Sequence, residues 1–336
     1  MTTDSPIFTD VDFARDGKQV GTLNLPHSPH EDAWGVMPIP IAVLKNGTGP
    51  TVLMEGGNHG DEYEGPIILG RMIRDLDPAR IQGRLILLPA INTPAVVAGH
   101  RTSPVDGLNF NRTFPGNPRG TMTQQISHYV NHVLFPMADA FLDLHSGGSS
   151  LDIPPSAIVE PAADPAHTAR NMAAALAFDA PYTVVLDNLG EPRTATASAV
   201  RAGLVTVGTE LGRGGAVSID ALTVGARGVR NVLAHLGVLE PDGEASETQS
   251  GSRVVQVPDE TGYVYAPADG VFEPFHEKGD AVEEGAPAGL VHFLDDPARA
   301  PVPAHYKASG LLWARRQPGR VARGNCVGVL AVDASG

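Results

Sequence analysis

Between Thr51 and about Leu239, short apolar runs alternate with segments of helical period, and no other feature limits the fold of this chain so strongly. A bounded apolar run of four to eight residues reads as a buried strand. A longer stretch, apolar at every third or fourth position, reads as a helix lying on it. Strands are therefore predicted at 51–54, 84–89, 140–144 and 204–209, and helices at 66–76, 123–136, 166–178 and 218–236. The alternation implies an α/β unit, a central sheet covered by helices on both faces.

After Leu239 the texture changes. Residues 240–247 are polar and read as a linker. Beyond them come short β-type runs at 253–257, 263–266, 270–275, 288–293, 310–315 and 326–332, separated by Gly, Pro and Asp. The expected organisation is an α/β unit over 1–242, with an N-terminal β extension to about 45, followed by a small all-β unit over 251–336. The length of 336 residues suits roughly two domains of about 150 each.

Composition narrows the partners. With 24 Lys+Arg against 38 Asp+Glu, a net charge of −14 argues against nucleic acid, which needs a basic face to displace counterions. Met1 to Asp16 shows no basic segment followed by an apolar one, so no secretory leader is expected. No run approaches the roughly 18 apolar residues of a membrane span. Cys326 is the only cysteine, among apolar neighbours, which suggests a buried thiol and a reducing, cytoplasmic setting. The sequence leaves assembly into a homo-oligomer open.

The strongest local signal is Gly56-Gly57-Asn58-His59-Gly60-Asp61-Glu62, just after the strand at 51–54. His59 and Glu62 stand three apart, so one turn can aim an imidazole and a carboxylate at one point, half of a zinc site. Alone, such a pair far more often belongs to a solvated loop. His145 is the candidate third ligand, at the end of a strand that opens into Ser146-Gly147-Gly148, where open α/β sheets build their sites. Strand alternation puts Asp143 on the same face, placed to orient an imidazole. A core histidine beside a buried Asp competes with that reading; the two motifs together favour the metal. Arg101 and the pair Asn111-Arg112 offer groups for an oxyanion or a carboxylate. Glu210 ends an apolar strand, where it can move protons or simply pair with a cation.

The motifs at 56–62, 109–116 (N-F-N-R-T-F-P-G) and 143–148 (D-L-H-S-G-G), in this order, resemble the succinylglutamate desuccinylase/aspartoacylase family of zinc acylases, related to the zinc carboxypeptidases. The resemblance spans about residues 40–240. Segments 47–53, 58–65 and 103–107 are most similar to its branch of N-α-acetyl-L-2,4-diaminobutyrate deacetylases in ectoine degradation. The resemblance implies a zinc carboxypeptidase-like mixed central sheet flanked by helices, with the catalytic site in the α/β unit. It further implies one Zn²⁺ per chain on His59, Glu62 and His145, and Glu210 as general base and then acid. Arg101 would polarise the scissile carbonyl, and Asn111 with Arg112 would hold the carboxylate of a small acyl amino acid. An aspartoacylase, a desuccinylase or a carboxypeptidase-like peptidase are the enzymatic alternatives, and a binding or carrier module the non-enzymatic one.

Three other patterns are weaker. His128 and His132 lie four apart on a predicted helix, but Tyr129 stands where a zincin would carry Glu, so they read as an ordinary helix face. No glycine-rich phosphate loop precedes a helix, and no nucleotide cofactor is expected. Segments 266–272 and 279–285 resemble the biotinyl/lipoyl fold, yet the tip at 295–299 has no Lys to modify. The C-terminal unit is expected to form a lid or wall over the site.

Overall fold

The structure, a computed structural model, describes residues 4–213, 215–240 and 251–334. Of the expected linker at 240–247, all but Glu240 lies outside the described residues. In chain order the elements are β1 (Gly17–Pro26), β2 (Val36–Asn46), β3 (Thr51–Gly56), α1 (Glu64–Asp75), β4 (Gly83–Leu88), α2 (Thr93–Ala98) and α3 (Met122–Tyr129). There follow β5 (Ala140–His145), β6 (Leu151–Val159), α4 (Pro165–Phe178), β7 (Tyr182–Val185), α5 (Ala195–Arg201), β8 (Val205–Arg213) and α6 (Ile219–His235). The C-terminal part adds β9 (Arg253–Gln256), β10 (Tyr263–Tyr265), β11 (Gly270–Pro274), β12 (Ala281–Val282) and β13 (Pro287–His292). It ends with β14 (Val302–His305), β15 (Gly310–Arg316), β16 (Arg320–Val321) and β17 (Cys326–Asp333).

The main sheet runs β1-β2-β4-β3-β5-β8-β6-β7-β9-β17-β15-β12, with parallel pairing at β4–β3, β3–β5 and β5–β8. Successive residues of these strands face opposite sides, and each side has its own core. Val52, Met54, Ala140, Leu142, Leu144 and Val207 join one cluster, packed against α1, α4 and α6. Leu53, Ile86 and Phe141 join another, with the aromatic side chains of Phe110, Phe114 and Phe135. α4 and α6 pack so tightly that a Cβ on Gly228 would lie 2.3 Å from Cε1 of Phe178, which explains a helix-breaking residue within α6. Both faces of the sheet are therefore covered, as the alternation of strand and helix implies.

The sequence pattern misses β6, β7, α2 and α5. In β6 the cause is Pro154-Pro155: Pro has no N–H for the ladder and normally argues against a central strand. Here the two prolines sit where the register with β8 shifts between Ile153 and Ser156, so the sheet tolerates them. The helix predicted at 123–136 is α3, followed by a wider turn at Val130–Leu134 and a 3₁₀ turn at Phe135–Met137, in which Pro136 is accommodated at the start.

The C-terminal strands are tied to the main sheet in two places. β9 pairs with β7, and β15 pairs with β6, so β6, β7, β9, β17 and β15 close into a ring. This ring has its own core of Ile153, Ile158, Val184, Val255, Trp313, Ala314, Val329 and Ala331. A smaller sheet, β14-β13-β11-β16, packs beyond it. Among the described residues no helix is long and apolar enough to cross a membrane.

Candidate active site

The parallel strands β3, β5 and β8 finish side by side, and chemistry-bearing residues gather at their carboxyl ends. His145 and Glu210 are register partners on β5 and β8, and they share the face opposite Leu144 and Leu211. His59 and Glu62 follow β3 in the loop that leads into α1. That loop is pressed onto α2: a Cβ on Gly60 would fall 1.9 Å from the Ala95 carbonyl, so a larger residue would push His59 out of place. Sheet order, rather than nearness in sequence, joins the three motifs.

His59 Nδ1 lies 2.8 Å from Glu62 Oε1, and His145 Nδ1 lies 2.8 Å from Glu62 Oε2. The opposite nitrogens are held from behind. His145 Nε2 is 2.9 Å from Asp143 Oδ2, and His59 Nε2 is 3.1 Å from Asn109 Oδ1. Both Nδ1 atoms thus face the Glu62 carboxylate, and loss of the Nδ1 protons would free their lone pairs for a cation. All three side chains are buried, and their ligand atoms lie within 4.8 Å of one another. Two imidazoles and a carboxylate, converging with an open side toward a cavity, are the donor set of a catalytic zinc site. No other group of three such residues occurs among the described residues. His128 and His132 stack on each other with ring centroids 4.1 Å apart, and His132 Nδ1 lies 3.1 Å from the His128 carbonyl.

The electrostatics match a cation site. Burial alone would raise the Glu62 carboxyl, but the charges and hydrogen bonds of His59 and His145 outweigh it and hold Glu62 below the usual carboxylate range. Burial would lower His145; Asp143 and Glu62 prevail and raise it well above the ordinary imidazole value. Glu210 has no such support. Its Oε2 is buried without a partner, and burial, then the negative charge of Glu62, push it up to about 8. A carboxyl near neutrality can both take and return a proton.

These residues line a cavity of about 190 Å³ with Arg101, Asn111 and Arg112. Arg101 is 3.4 Å from Glu62 Oε1. Asn111 accepts from the Ala195 N–H at the start of α5 (2.7 Å), and its Nδ2 lies 3.3 Å from His145 Nε2. Arg112 donates to the Asn111 carbonyl (2.7 Å) and lies 3.6 Å from Glu191. Every candidate residue of the sequence reading thus meets at one cavity. Sequence reasoning missed Asn109, whose hydrogen bond to His59 has no signal beyond its place in the 109–116 motif. It also missed Asn188, Thr196, Tyr263 and Trp313, which form further parts of the cavity wall and carry no motif at all.

One buried acid near this wall gives a measurable pH effect. Burial, reinforced by Asp187, pushes the Glu160 carboxyl up to about 7 from its ordinary 4.5. The unfolded chain therefore releases this proton first, and folding loses stability as pH rises from about 4.5 to 7, by about 3 kcal/mol in all. Glu160→Gln is expected to raise unfolding free energy by ~1–3 kcal/mol at pH 8 and by little at pH 5, measured by urea denaturation. Cys326 is half-buried, and burial pushes its thiol up to about 11, unlike a reactive cysteine.

The chain belongs to the succinylglutamate desuccinylase/aspartoacylase family: residues 48–236 match its catalytic domain, and this stretch contains His59, Glu62, Arg101, Asn111, Arg112, Asp143, His145 and Glu210. Over 327 residues it is 42% identical to the N-α-acetyl-L-2,4-diaminobutyric acid deacetylase of Halomonas elongata, covering 97% of this chain and 95% of that protein. The product-bound ectoine utilization protein EutE (DoeB) of Ruegeria pomeroyi superposes with a TM-score of 0.92 at 41% identity, over 98% of this chain and 99% of that one. A succinylglutamate desuccinylase/aspartoacylase from Rhodobacter sphaeroides gives 0.92 at 45% identity, over 98% and 100%.

Proposed function

We propose that this chain is a zinc-dependent amidohydrolase that removes acetyl from N-α-acetyl-L-2,4-diaminobutyrate, releasing acetate and diaminobutyrate. The observation that carries the reading is the buried His59–Glu62–His145 triad opening on a cavity that Glu210 and two arginines share. The substrate choice is supported by the near full-length similarity to the Halomonas elongata deacetylase. Zinc, when bound to these three side chains, supplies Lewis-acid activation of water and of the amide carbonyl. Glu210 accepts a proton from the attacking water at its carboxylate and returns it to the departing amine. The Arg101 guanidinium faces the oxygen that gains negative charge in the tetrahedral species. Asn111 and Arg112 hold the α-carboxylate and fix which bond meets the water.

The test is acetate release from N-α-acetyl-L-2,4-diaminobutyrate, compared with N-acetyl-L-aspartate and N-succinyl-L-glutamate. A kcat/KM about 100-fold higher for the first is expected. A preference for either acidic substrate would assign the chain to another activity of its family.

A further inference from the structure

Two carboxyl groups meet inside the sheet, behind the metal ligands. Glu55 on β3 and Asp143 on β5 are register partners in a parallel pair, so their side chains leave the same face. Two residues earlier that face carries Leu53 and Phe141, which belong to one apolar core. Both acids are 0% exposed, and the partner of Glu55 on its other side is Leu88 of β4, equally buried and without a polar side chain. Each acid uses one oxygen. Glu55 Oε1 accepts from Asn58 Nδ2 at 3.1 Å, and Asp143 Oδ2 faces His145 Nε2 at 2.9 Å. The other two oxygens, Glu55 Oε2 and Asp143 Oδ1, are buried with no hydrogen-bond partner among the described residues.

Two orphaned carboxyl oxygens on adjacent strands are costly in an apolar core, because their desolvation is not offset. A proton on one of them relieves both: the acid O–H becomes a donor, and the other carboxylate accepts it. The surroundings decide which acid carries the proton. Asp143 already faces an imidazole, which favours its anion. Glu55 has only the amide of Asn58, and burial, then the charge of Asp143, raise it well above the ordinary carboxylate range against the weaker pull of Asn58 and His145. Two ionised carboxylates side by side would repel with no water to screen them.

We infer that Glu55 is a positioning residue of the active site: as the neutral acid it donates from Oε2 to Asp143 Oδ1, and so fixes the carboxylate that in turn fixes the His145 imidazole. Glu55 does not line the cavity and acts only through Asp143. Without that donor, Asp143 keeps one buried oxygen unsatisfied and is free to turn away from His145, which loosens a ligand of the metal site. The kinetic consequence rests on the hydrolase reading above; the hydrogen bond itself does not.

The direct test is the infrared difference spectrum between wild type and Glu55→Gln at neutral pH. A carboxylic-acid carbonyl band is expected in the wild type and absent from the variant; no such band would overturn the inference and leave the deacetylase reading intact. A Gln amide can also donate to Asp143, so Glu55→Gln is expected to keep kcat for acetate release within about threefold of wild type. Glu55→Leu fills the space without a donor. It is expected to lower kcat about tenfold with little change in KM, and to weaken zinc retention against a competing chelator about tenfold. Equal impairment of both variants would overturn the neutral acid, and wild-type behaviour of both would overturn the positioning role. Should Glu55→Leu fold poorly, the band and the Gln variant still decide. If the wild type releases no acetate, yet the band and the difference in zinc retention are found, the function proposed above fails and the hydrogen bond stands.

Discussion

Glu210→Gln is expected to lower kcat by about 10³-fold while the protein keeps its fold and its zinc. The two side chains have nearly the same shape, and Oε2 of Glu210 has no hydrogen-bond partner that the substitution would break. What is lost is the capacity to accept a proton. Glu210 is the register partner of His145, and no other carboxylate in the cavity is free for this role, because Glu62 is engaged by two imidazoles and Asp143 by one. Steady-state acetate release and metal analysis on the same preparation make the test. Turnover within tenfold of wild type, at equal zinc content, would remove Glu210 from proton transfer.

An effect as large is expected from the metal site, with a stability signature as well. His145→Ala leaves two of the three converging ligands, and turnover is expected to fall at least ~10³-fold together with zinc content. It also leaves Asp143, fully buried, without the imidazole that pairs with its Oδ2. An unpaired buried charge costs about 3 kcal/mol, which urea denaturation would detect. Should the variant fold poorly, the wild-type protein dialysed against a chelator provides the second measurement. Its activity should vanish and return on addition of about one equivalent of zinc. Full activity in the dialysed, metal-free protein would overturn the site.

The net charge of −14 says little about this chemistry. Potential inside a cavity is set by the nearest groups, here Arg101, Arg112 and the carboxylates of Glu62 and Asp143. Overall charge bears on whether the surface attracts nucleic acid. It does not bear on which small molecule the cavity holds.

How much was legible in the chain differs from part to part. His59 and Glu62 are a local pair, because a three-residue spacing in a glycine-rich loop brings them together whatever the rest does. His145 and Asp143 are readable from strand alternation, which gives them one face. Their approach to His59 is not, since β3 and β5 are separated in sequence by β4 and three helices and become neighbours only through the sheet order. The family resemblance bridged that gap by motif order rather than by geometry. Asn109 stayed unread because a hydrogen bond to the far side of an imidazole leaves no pattern in sequence.

By itself, then, the sequence determined the α/β alternation, the metal-type motif and the small β-rich C-terminal part, because hydrophobic period, turn residues and ligand spacing are local properties of the chain. Only the tertiary structure decided what completes the cavity around the metal ligands. Pro154-Pro155 hid β6 from any periodic reading, and β6 is the strand on which β15 closes, carrying Trp313 to Ser156. Tyr263 and Thr196 are 67 residues apart in the numbering yet line one cavity. The physical reason is that a cavity wall is assembled by long-range strand pairing and core packing, whose partners are chosen by the whole sheet and not by any neighbour in the chain.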